Sequence, residues 1–376
     1  MGHWFWALSS VDAGLVTGLF PPQERDWSLP SEAPLTSQAA CRLAREAASQ
    51  QAFEPAARAL NCDWAMSDDP IHPEQLRRWA EALGQSAVAQ RDAELEAFGR
   101  GQRPSCPPNP VPLLVVGMDG GRYQSREKDP QTQSRWREEK VLTVSSYLPG
   151  DGIDPDSGGR KPQKLVTTHL ATAGPAQVFG ALAQVEVERR GLRQAQEVIA
   201  LGDGGNWIDP LLQAHVPVDA RIIDWYHAVE HLWDCAKAMH GAGTPQAAQM
   251  AERLEALLWD GRVQEVVGEF SSASAKLGPP LEGDPPNHPR RILAQNIGYF
   301  TKHEEHMNYP EYRRRGWPIG SGETEAAVKQ FNKRIKGTEQ FWSFKGIETI
   351  ITLRGLWLSD DQRWERYWQN RPAYVN

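Results

Sequence analysis

Two aspartates stand at positions where a protein could bind a cation or move a proton. Asp119 follows the apolar run 113–118 directly, and Asp203 follows the apolar segment 197–201 after one glycine. Each is followed by Gly-Gly, which lets the backbone and a ligand approach closely. If the two apolar segments are neighbouring strands, both carboxylates emerge at one edge of a sheet. A single Asp-Gly pair usually forms a turn, so the residues alone leave a turn and a chemical role both open.

A third carboxylate could come from a helix packed over the same edge. Gly-Ser-Gly at 320–322 precedes a predicted helix over 323–336, with Ser321 as a candidate cap and Glu325 in the first turn. Three oxygen ligands suit Mg²⁺ or Mn²⁺ rather than zinc. Two such ions about 3.5–4 Å apart can activate an attacking oxygen and stabilise a leaving one in phosphoryl transfer. Glu323 is a rival ligand, because helix residues two apart point about 200° apart and only one can face the metals.

The elements that must position these residues alternate between strand and helix. Apolar and alternating patterns predict strands, and 3.6-residue periodicity predicts helices. The order is β-β-β-α-β-α-β, followed by a helical region to about residue 307, in which 247–270 is strongly amphipathic. The strands are predicted at 113–118, 141–148, 165–170, 197–201 and 220–225, and the helices at 175–190 and 207–214.

Composition limits the class of protein. The 376 residues suggest two or three domains, and no run of about 18 apolar residues predicts a membrane span. The four cysteines form no Cys-x-x-Cys pair, which fits a reducing cytoplasm and argues against a zinc ribbon. The net charge of −7 by itself argues against nucleic acid. Residues 311–345 are locally basic, however, as a DNA enzyme with an acidic site requires.

Three blocks of the sequence together resemble the DDE transposases of bacterial insertion sequences, in particular the ISKra group. The similarity covers residues 113–368, about two-thirds of the chain. The blocks are Val116 to Gly121 with Trp136 to Lys140; Leu201 to Ile208 with Ile223 to Leu232; and Pro318 to Lys329 with Arg334 to Gly337 and Trp342.

This resemblance implies an α/β fold: an RNase H-like mixed sheet flanked by helices, with an all-helical insertion and a mostly helical N-terminal domain. It implies that Asp119, Asp203 and Glu325 are the catalytic residues and hold two Mg²⁺ (or Mn²⁺) ions; the pattern Gly-Ser-Gly-x-x-Glu selects Glu325. The activity implied is strand cleavage at transposon ends and strand transfer into target DNA. The partners implied are terminal inverted repeats, target DNA and further copies of the chain, as a dimer or larger assembly, at the nucleoid of a bacterial cytoplasm.

The chain then divides into four parts. Residues 1–110 are a mostly helical region, of which 1–30 match nothing recognised. Within it, 53–84 are a possible helix-turn-helix with Gln75, Arg77 and Arg78 facing DNA, or else a small helical packing domain. Residues 111–226 are the first part of the catalytic core, 227–310 the helical insertion, and 311–376 the C-terminal helices that carry the glutamate.

Asp224 and His227 match an Asp-x-x-His motif that related transposases carry at the start of the insertion. One interpretation is that they position DNA near the scissile bond, and the other is an Asp–His hydrogen bond that anchors strand to helix. His227 and His231 share a helix face and could bind zinc, but no further Cys or His lies at a helpful spacing.

Several residues are predicted to contact DNA. Lys329, Lys333 and Lys336 recur at i, i+4 and i+7, with Arg334 adjacent, and form a basic stripe on the helix of Glu325. Such a stripe contacts phosphates or is an ordinary solvated face. Arg314 belongs to a second basic cluster. Trp342 could stack on an unpaired base, whereas most of the fifteen tryptophans are expected in the core.

Two other functions remain compatible with these residues. A nuclease on the same fold would only hydrolyse DNA, since a fold alone does not determine the products. A protein derived from a transposase could bind DNA without catalysis, although all three carboxylates are present.

Overall fold

A mixed β-sheet forms the centre of the computed structural model, which describes residues 35–66, 70–107, 109–153, 159–337, 339–370 and 374–375. The strands are β1 (Leu35–Thr36), β2 (Val111–Ser125), β3 (Trp136–Leu148), β4 (Gln163–Thr172), β5 (Ala195–Gly202), β6 (Ala220–Ile223), β7 (Phe341–Trp342) and β8 (Tyr374–Val375). The sheet has the order β4-β3-β2-β5-β6, with β7 paired to the far end of β2, while β1 pairs with β8. The first three strands run antiparallel, and β5 and β6 join in parallel.

Helices cover the sheet and extend from it. They are α1 (Ser37–Ser49), α2 (Phe53–Asp63), α3 (Pro73–Gly99), α4 (Ala176–Arg189), α5 (Ile208–His215), α6 (Trp225–His240), α7 (Pro245–Trp259), α8 (Val263–Leu277), α9 (Pro289–His303), α10 (Tyr309–Arg314), α11 (Gly322–Ile335), α12 (Phe344–Leu358) and α13 (Arg363–Gln369). The predicted order is confirmed, and so is the fold class, a mixed sheet flanked by helices as in RNase H-like folds. Within the described residues, every helix is too short or too polar to cross a bilayer.

The part of β2 at residues 113–118 is apolar without interruption because both of its faces are buried. Leu113 and Val115 pack in the core that also contains the insertion helices. Leu114 and Val116 pack in a second core with α4 and α5. Parallel strands covered on both faces have this kind of sequence, which is why the apolar run predicted the strand.

The insertion between β6 and α11 consists of helices that share one core with a face of the sheet. Leu232, Leu254, Phe270 and Phe300 are fully buried in it, one from each of α6, α7, α8 and α9. The amphipathic stretch 247–270 is divided between α7 and α8. The break falls at Gly261, whose φ of +74° is a conformation that glycine adopts readily and that ends a helix.

The N-terminal helices pack on the C-terminal ones. Residues of α1, α2 and α3 share a single core with α11, α12 and α13. The helices α3 and α12 approach so closely that a Cβ built on Gly84 would lie 2.6 Å from the Cβ of Thr349. The region predicted as an N-terminal domain therefore shares its core with the C-terminal helices over its described part, and residues 1–34 lie outside that part.

The predicted helix-turn-helix corresponds to α2 and α3, joined by residues 64–72. Arg77 pairs with Glu74 and Glu81, and Arg78 with Glu74. Gln75 lies on the same helix, whose other side buries Leu76, Trp79 and Leu83 in the shared core. DNA recognition by this segment stays a prediction.

Candidate active site

Asp119 and Asp203 lie at the same end of two adjacent parallel strands. The last register pair between β2 and β5 is Gly117 with Leu201, and each aspartate lies two residues further along. Strand β2 continues past Asp119, which pairs with Val141 of β3. The edge at which β5 ends therefore presents both residues at the same level.

A backbone amide holds each aspartate in place. The amide of Gly120 donates to Asp119 Oδ1 at 2.6 Å, and that of Gly205 donates to Asp203 Oδ1 at 2.9 Å. Within the described part of the chain, the second oxygen of each carboxylate accepts no hydrogen bond. The loop after Asp203 is fastened by Tyr299 of α9, whose hydroxyl donates to the Asp203 carbonyl oxygen at 3.0 Å. Sequence reasoning missed Tyr299, because no local pattern connects it to a residue 96 positions away.

Helix α11 brings Glu325 over this edge. The hydroxyl oxygens of Thr324 and Thr143 are 2.8 Å apart and join the helix to β3. A Cβ built on Gly117 would lie 1.8 Å from Thr324 Oγ1, so only glycine permits this approach of α11 to β2. Glu325 follows Thr324 directly and lies in the first turn of the helix.

The electrostatics of Asp119 reflect both other acids. Burial, together with the charges of Asp203 and Glu325, raises the pKa of Asp119 to about 6, while the Gly120 amide and His227 act in the opposite direction. The charges of Asp203 and Glu325 therefore both reach Asp119. They are not in ligating contact, since among the described residues no three His, Cys, Asp or Glu side chains form a metal-binding group. Glu325 instead accepts a hydrogen bond from Lys329 Nζ at 3.1 Å.

The two glutamates of α11 face different neighbours. Glu323 accepts a hydrogen bond at 2.6 Å from Nζ of Lys164 on β4. Glu325 is the one of the two whose charge acts on Asp119. The placement of the side chains thus favours Glu325 as the third carboxylate of the site.

Asp224 joins three parts of the site. It is 1% exposed and caps α6 by accepting a hydrogen bond from the His227 amide at 2.7 Å. Its other oxygen accepts one from the Ser321 amide, in the turn before α11. Its own amide donates to the Gly202 carbonyl oxygen at 2.8 Å. Asp224 therefore fixes the start of the helix of Glu325 against the strand of Asp203, through backbone amides rather than through the His227 ring.

The histidines at the start of the insertion contact each other. The Nε2 atoms of His227 and His231 are 3.2 Å apart, and Tyr299 stacks on His231 with ring centroids 4.3 Å apart. Burial lowers the pKa of His231, and the neighbouring His227 lowers it further. Across the described ranges no third His, Cys, Asp or Glu completes a metal site with them. The structure therefore does not support zinc binding by His227 and His231.

The basic stripe is exposed except at one position. Lys329, Lys333 and Lys336 are exposed on α11 or directly after it. Arg314 is also exposed and forms an ion pair with Glu311. These four side chains are accessible to a nucleic acid.

The DNA contacts predicted for Arg334 and Trp342 are wrong. Arg334 is 1% exposed, donates from Nε to the Ala47 carbonyl oxygen at 2.6 Å, and lies over the rings of Phe53 and Trp342. Trp342 is also buried, and its Nε1 donates to the Ile335 carbonyl oxygen at 3.0 Å. The N-terminal helices cover this flank of α11, so neither side chain is available for phosphates or bases.

Sequence reasoning also missed a buried acid beside the site. Glu139 of β3 is 0% exposed, and within the described residues neither of its carboxylate oxygens has a hydrogen-bond partner. It pairs in register with Gly121, where an added Cβ would lie 1.8 Å from Glu139 Oε1. Burial raises the pKa of Glu139 to about 8. No local signal marked Glu139, because it lies before the strand predicted at 141–148.

The comparisons with known proteins identify no family for this chain. No family model matches the chain, and no curated protein matches it in sequence. Among solved structures, it is similar to a chain of the Drosophila P element transposase strand transfer complex, with 8% identity and a TM-score of 0.37. That match covers 88% of this chain and 93% of the other. A likeness this distant carries no argument about function.

Proposed function

We propose that the chain is a metal-dependent DNA transposase of the kind encoded by bacterial insertion sequences of the ISKra group. It would cleave strands at transposon ends and transfer them into target DNA. The observation that supports the proposal is the placement of Asp119 and Asp203 at one sheet edge, where the charges of Asp203 and Glu325 both act on the half-buried Asp119. The exposed lysines on the helix of Glu325 add a surface for DNA phosphates.

The donor set fits a pair of hard divalent cations. All three candidate ligands are carboxylates, and Asp119 and Asp203 each keep one oxygen that accepts no hydrogen bond within the described part of the chain. Asp119, Asp203 and Glu325 would hold Mg²⁺ or Mn²⁺, with Glu325 leaving its contact with Lys329. Bound ions of this kind activate the attacking oxygen and stabilise charge on the leaving oxygen.

The surrounding residues support this arrangement. Asp224 fixes the turn before α11 and Tyr299 fixes the loop after Asp203, so both act as positioning residues. Asp119 would bind a cation as the carboxylate and release its proton, so the raised pKa of Asp119 makes cation affinity fall as the pH is lowered. Lys329, once separated from Glu325, would be available to a phosphate of the bound strand.

The test is DNA cleavage and joining by purified protein. The substrate is a supercoiled plasmid that carries the DNA flanking the coding sequence on both sides, incubated with Mg²⁺. We expect Asp119→Asn, Asp203→Asn and Glu325→Gln each to slow cleavage by on the order of 10³-fold, because several kcal/mol of transition-state stabilisation are lost. Glu323→Gln, two residues away on the same helix, is the matched control and should cleave normally.

The outcomes separate the alternatives. Full cleavage by Asp119→Asn, or a loss confined to Glu323→Gln, would eliminate this mechanism. Cut ends without joined products would indicate a nuclease that only hydrolyses. DNA binding that is indifferent to Mg²⁺ and leads to no cleavage would indicate a non-catalytic DNA-binding protein.

A further inference from the structure

Three strands place two exposed aromatic side chains in one row. Trp136 of β3 and Phe341 of β7 both pair in register with Gln124 of β2. Residues paired across a sheet project from the same face. Trp136 is 42% exposed and Phe341 is 40% exposed. The two rings lie on either side of Gln124, and exposed aromatic groups grouped on one face in this way mark a surface that contacts something else.

Cations surround these two rings. Nζ of Lys336 lies 5.7 Å from the ring centroid of Trp136, and Cζ of Arg135 lies 5.4 Å from that of Phe341. Arg126 donates from Nε to the Phe341 carbonyl oxygen at 3.3 Å. We call these five residues, Trp136, Phe341, Arg126, Arg135 and Lys336, the aromatic–basic surface. Its composition suits a ligand with planar rings and negative charge.

The aromatic–basic surface is continuous with the candidate active site. Lys336 is the last residue of the basic stripe that begins beside Glu325, and eleven helical residues span roughly 17 Å. Along β2, the five residues from Asp119 to Gln124 also span roughly 17 Å. That distance corresponds to about five stacked bases. A DNA strand that enters the site would therefore reach this surface within a few nucleotides.

We propose that the aromatic–basic surface binds unpaired nucleotides about five nucleotides from the cleaved position, a proposal that rests on the proposed function. Bases stack on Trp136 and Phe341, and the backbone phosphates lie against Arg135 and Lys336. Bases must be unpaired to do this, because the bases of a continuous duplex stack on one another. The structure thus moves the stacking role away from Trp342, which is buried, to the exposed Phe341 before it and to Trp136.

The experiment compares two DNA probes by fluorescence anisotropy, with EDTA present so that no cleavage occurs. One probe is a blunt duplex, and the other is the same duplex with a short single-stranded thymine overhang. We expect the wild type to prefer the overhang probe, and Trp136→Leu and Phe341→Leu each to lose about 5-fold or more of this preference. Trp136→Phe should retain most of it. Leu281→Ala, an exposed apolar residue in the loop before α9, should change nothing.

Each outcome bears on a different claim. If both leucine variants keep the full overhang preference, the surface does not bind unpaired nucleotides. If they weaken both probes equally, it contacts duplex DNA and the stacking role is overturned. If the wild type binds neither probe, the proposed function itself fails. Lys336→Ala should weaken both probes alike, because a phosphate contact does not depend on the state of the base.

Discussion

Two acids in this protein, the buried Glu186 and the half-buried Asp119, have opposite surroundings. Glu186 of α4 accepts hydrogen bonds from two arginines and a threonine. Arg363 Nη2 donates to it at 2.6 Å, Arg189 also donates to it, and the Thr168 hydroxyl donates at 2.6 Å. Burial alone would raise the pKa of Glu186, but the charges of Arg363 and Arg189 hold it at about 2. Its charge is balanced within the fold.

Asp119 has other acids, rather than arginines, among its charged neighbours. Burial and the charges of Asp203 and Glu325 raise its pKa to about 6. A buried acid with arginine partners has its charge balanced within the fold, whereas an acid with other acids as neighbours does not. The two residues therefore differ in whether the fold itself stabilises the ionised carboxylate.

The largest expected effect is on the structural acid. Glu186→Gln should lower the free energy of unfolding by about 3–5 kcal/mol, because Arg363 and Arg189 lose their buried counter-charge. Asp119→Asn, the equivalent change at the sheet edge, should not destabilise the protein. Urea unfolding of both variants measures the difference. Equal losses of unfolding free energy in the two variants would mean that both acids stabilise the fold to the same extent.

The second-largest expected effect is that of added Mg²⁺ on stability, which should depend on Asp119 but not on Glu186. If Asp119, Asp203 and Glu325 hold the ions, Mg²⁺ at 100 times its Kd stabilises the folded state by about 2.7 kcal/mol, which raises Tm by several degrees. The same rise should occur in Glu186→Gln and be absent in Asp119→Asn and Asp203→Asn. A rise of the wild-type size in Asp119→Asn would place the ions elsewhere.

The two acids should also give opposite pH dependences of stability. The folded pKa of Glu186 is depressed, so its contribution is present above its unfolded pKa of 4.5 and is lost as the pH falls towards 2. The folded pKa of Asp119 is raised, so its contribution is full below its unfolded pKa of 3.8 and is lost as the pH rises through about 6.

Asp119→Asn should therefore be more stable than the wild type at pH 7. The expected gain is about 1–2 kcal/mol, after allowance for partial exposure to solvent, and it should disappear below pH 4. Unfolding free energies at the two pH values, measured without divalent ions, provide the check. An Asn variant with no advantage at pH 7 would show that neither burial nor the other acids destabilise the ionised Asp119.

The sheet and its two aspartates could be predicted because their signals are local. A strand segment covered on both faces is apolar throughout. The polar residue after it marks the end of β5 and, in β2, the end of the pairing with β5, although β2 itself continues to Ser125. The contrast between Glu186 and Asp119 could not be predicted in this way. Glu186 meets Arg363, a residue 177 positions away, and Asp224 meets Ser321, 97 positions away. Only the tertiary fold brings these partners together.

The basic stripe also could be predicted only in part from the local sequence. Helical spacing correctly groups Lys329, Lys333 and Lys336 on an exposed face. It does not reveal that Arg334 turns towards the carbonyl oxygen of Ala47, which is 287 residues away in the sequence. The orphaned Glu139 was equally hidden, because its burial depends on how α11 lies over β3.

The smallest expected effect concerns Lys329, where the stripe meets the acidic edge. Lys329→Ala should weaken binding to any duplex modestly and without regard to sequence, because a phosphate contact carries no sequence information. It should also reduce the slope of log K against log salt concentration by about 0.9, the amount for one phosphate contact. Lys276→Ala, an exposed lysine at the end of α8, should leave the slope unchanged. Equal slopes for Lys329→Ala and the wild type would mean that Lys329 serves only Glu325, so that the acidic edge would meet DNA without the help of this lysine.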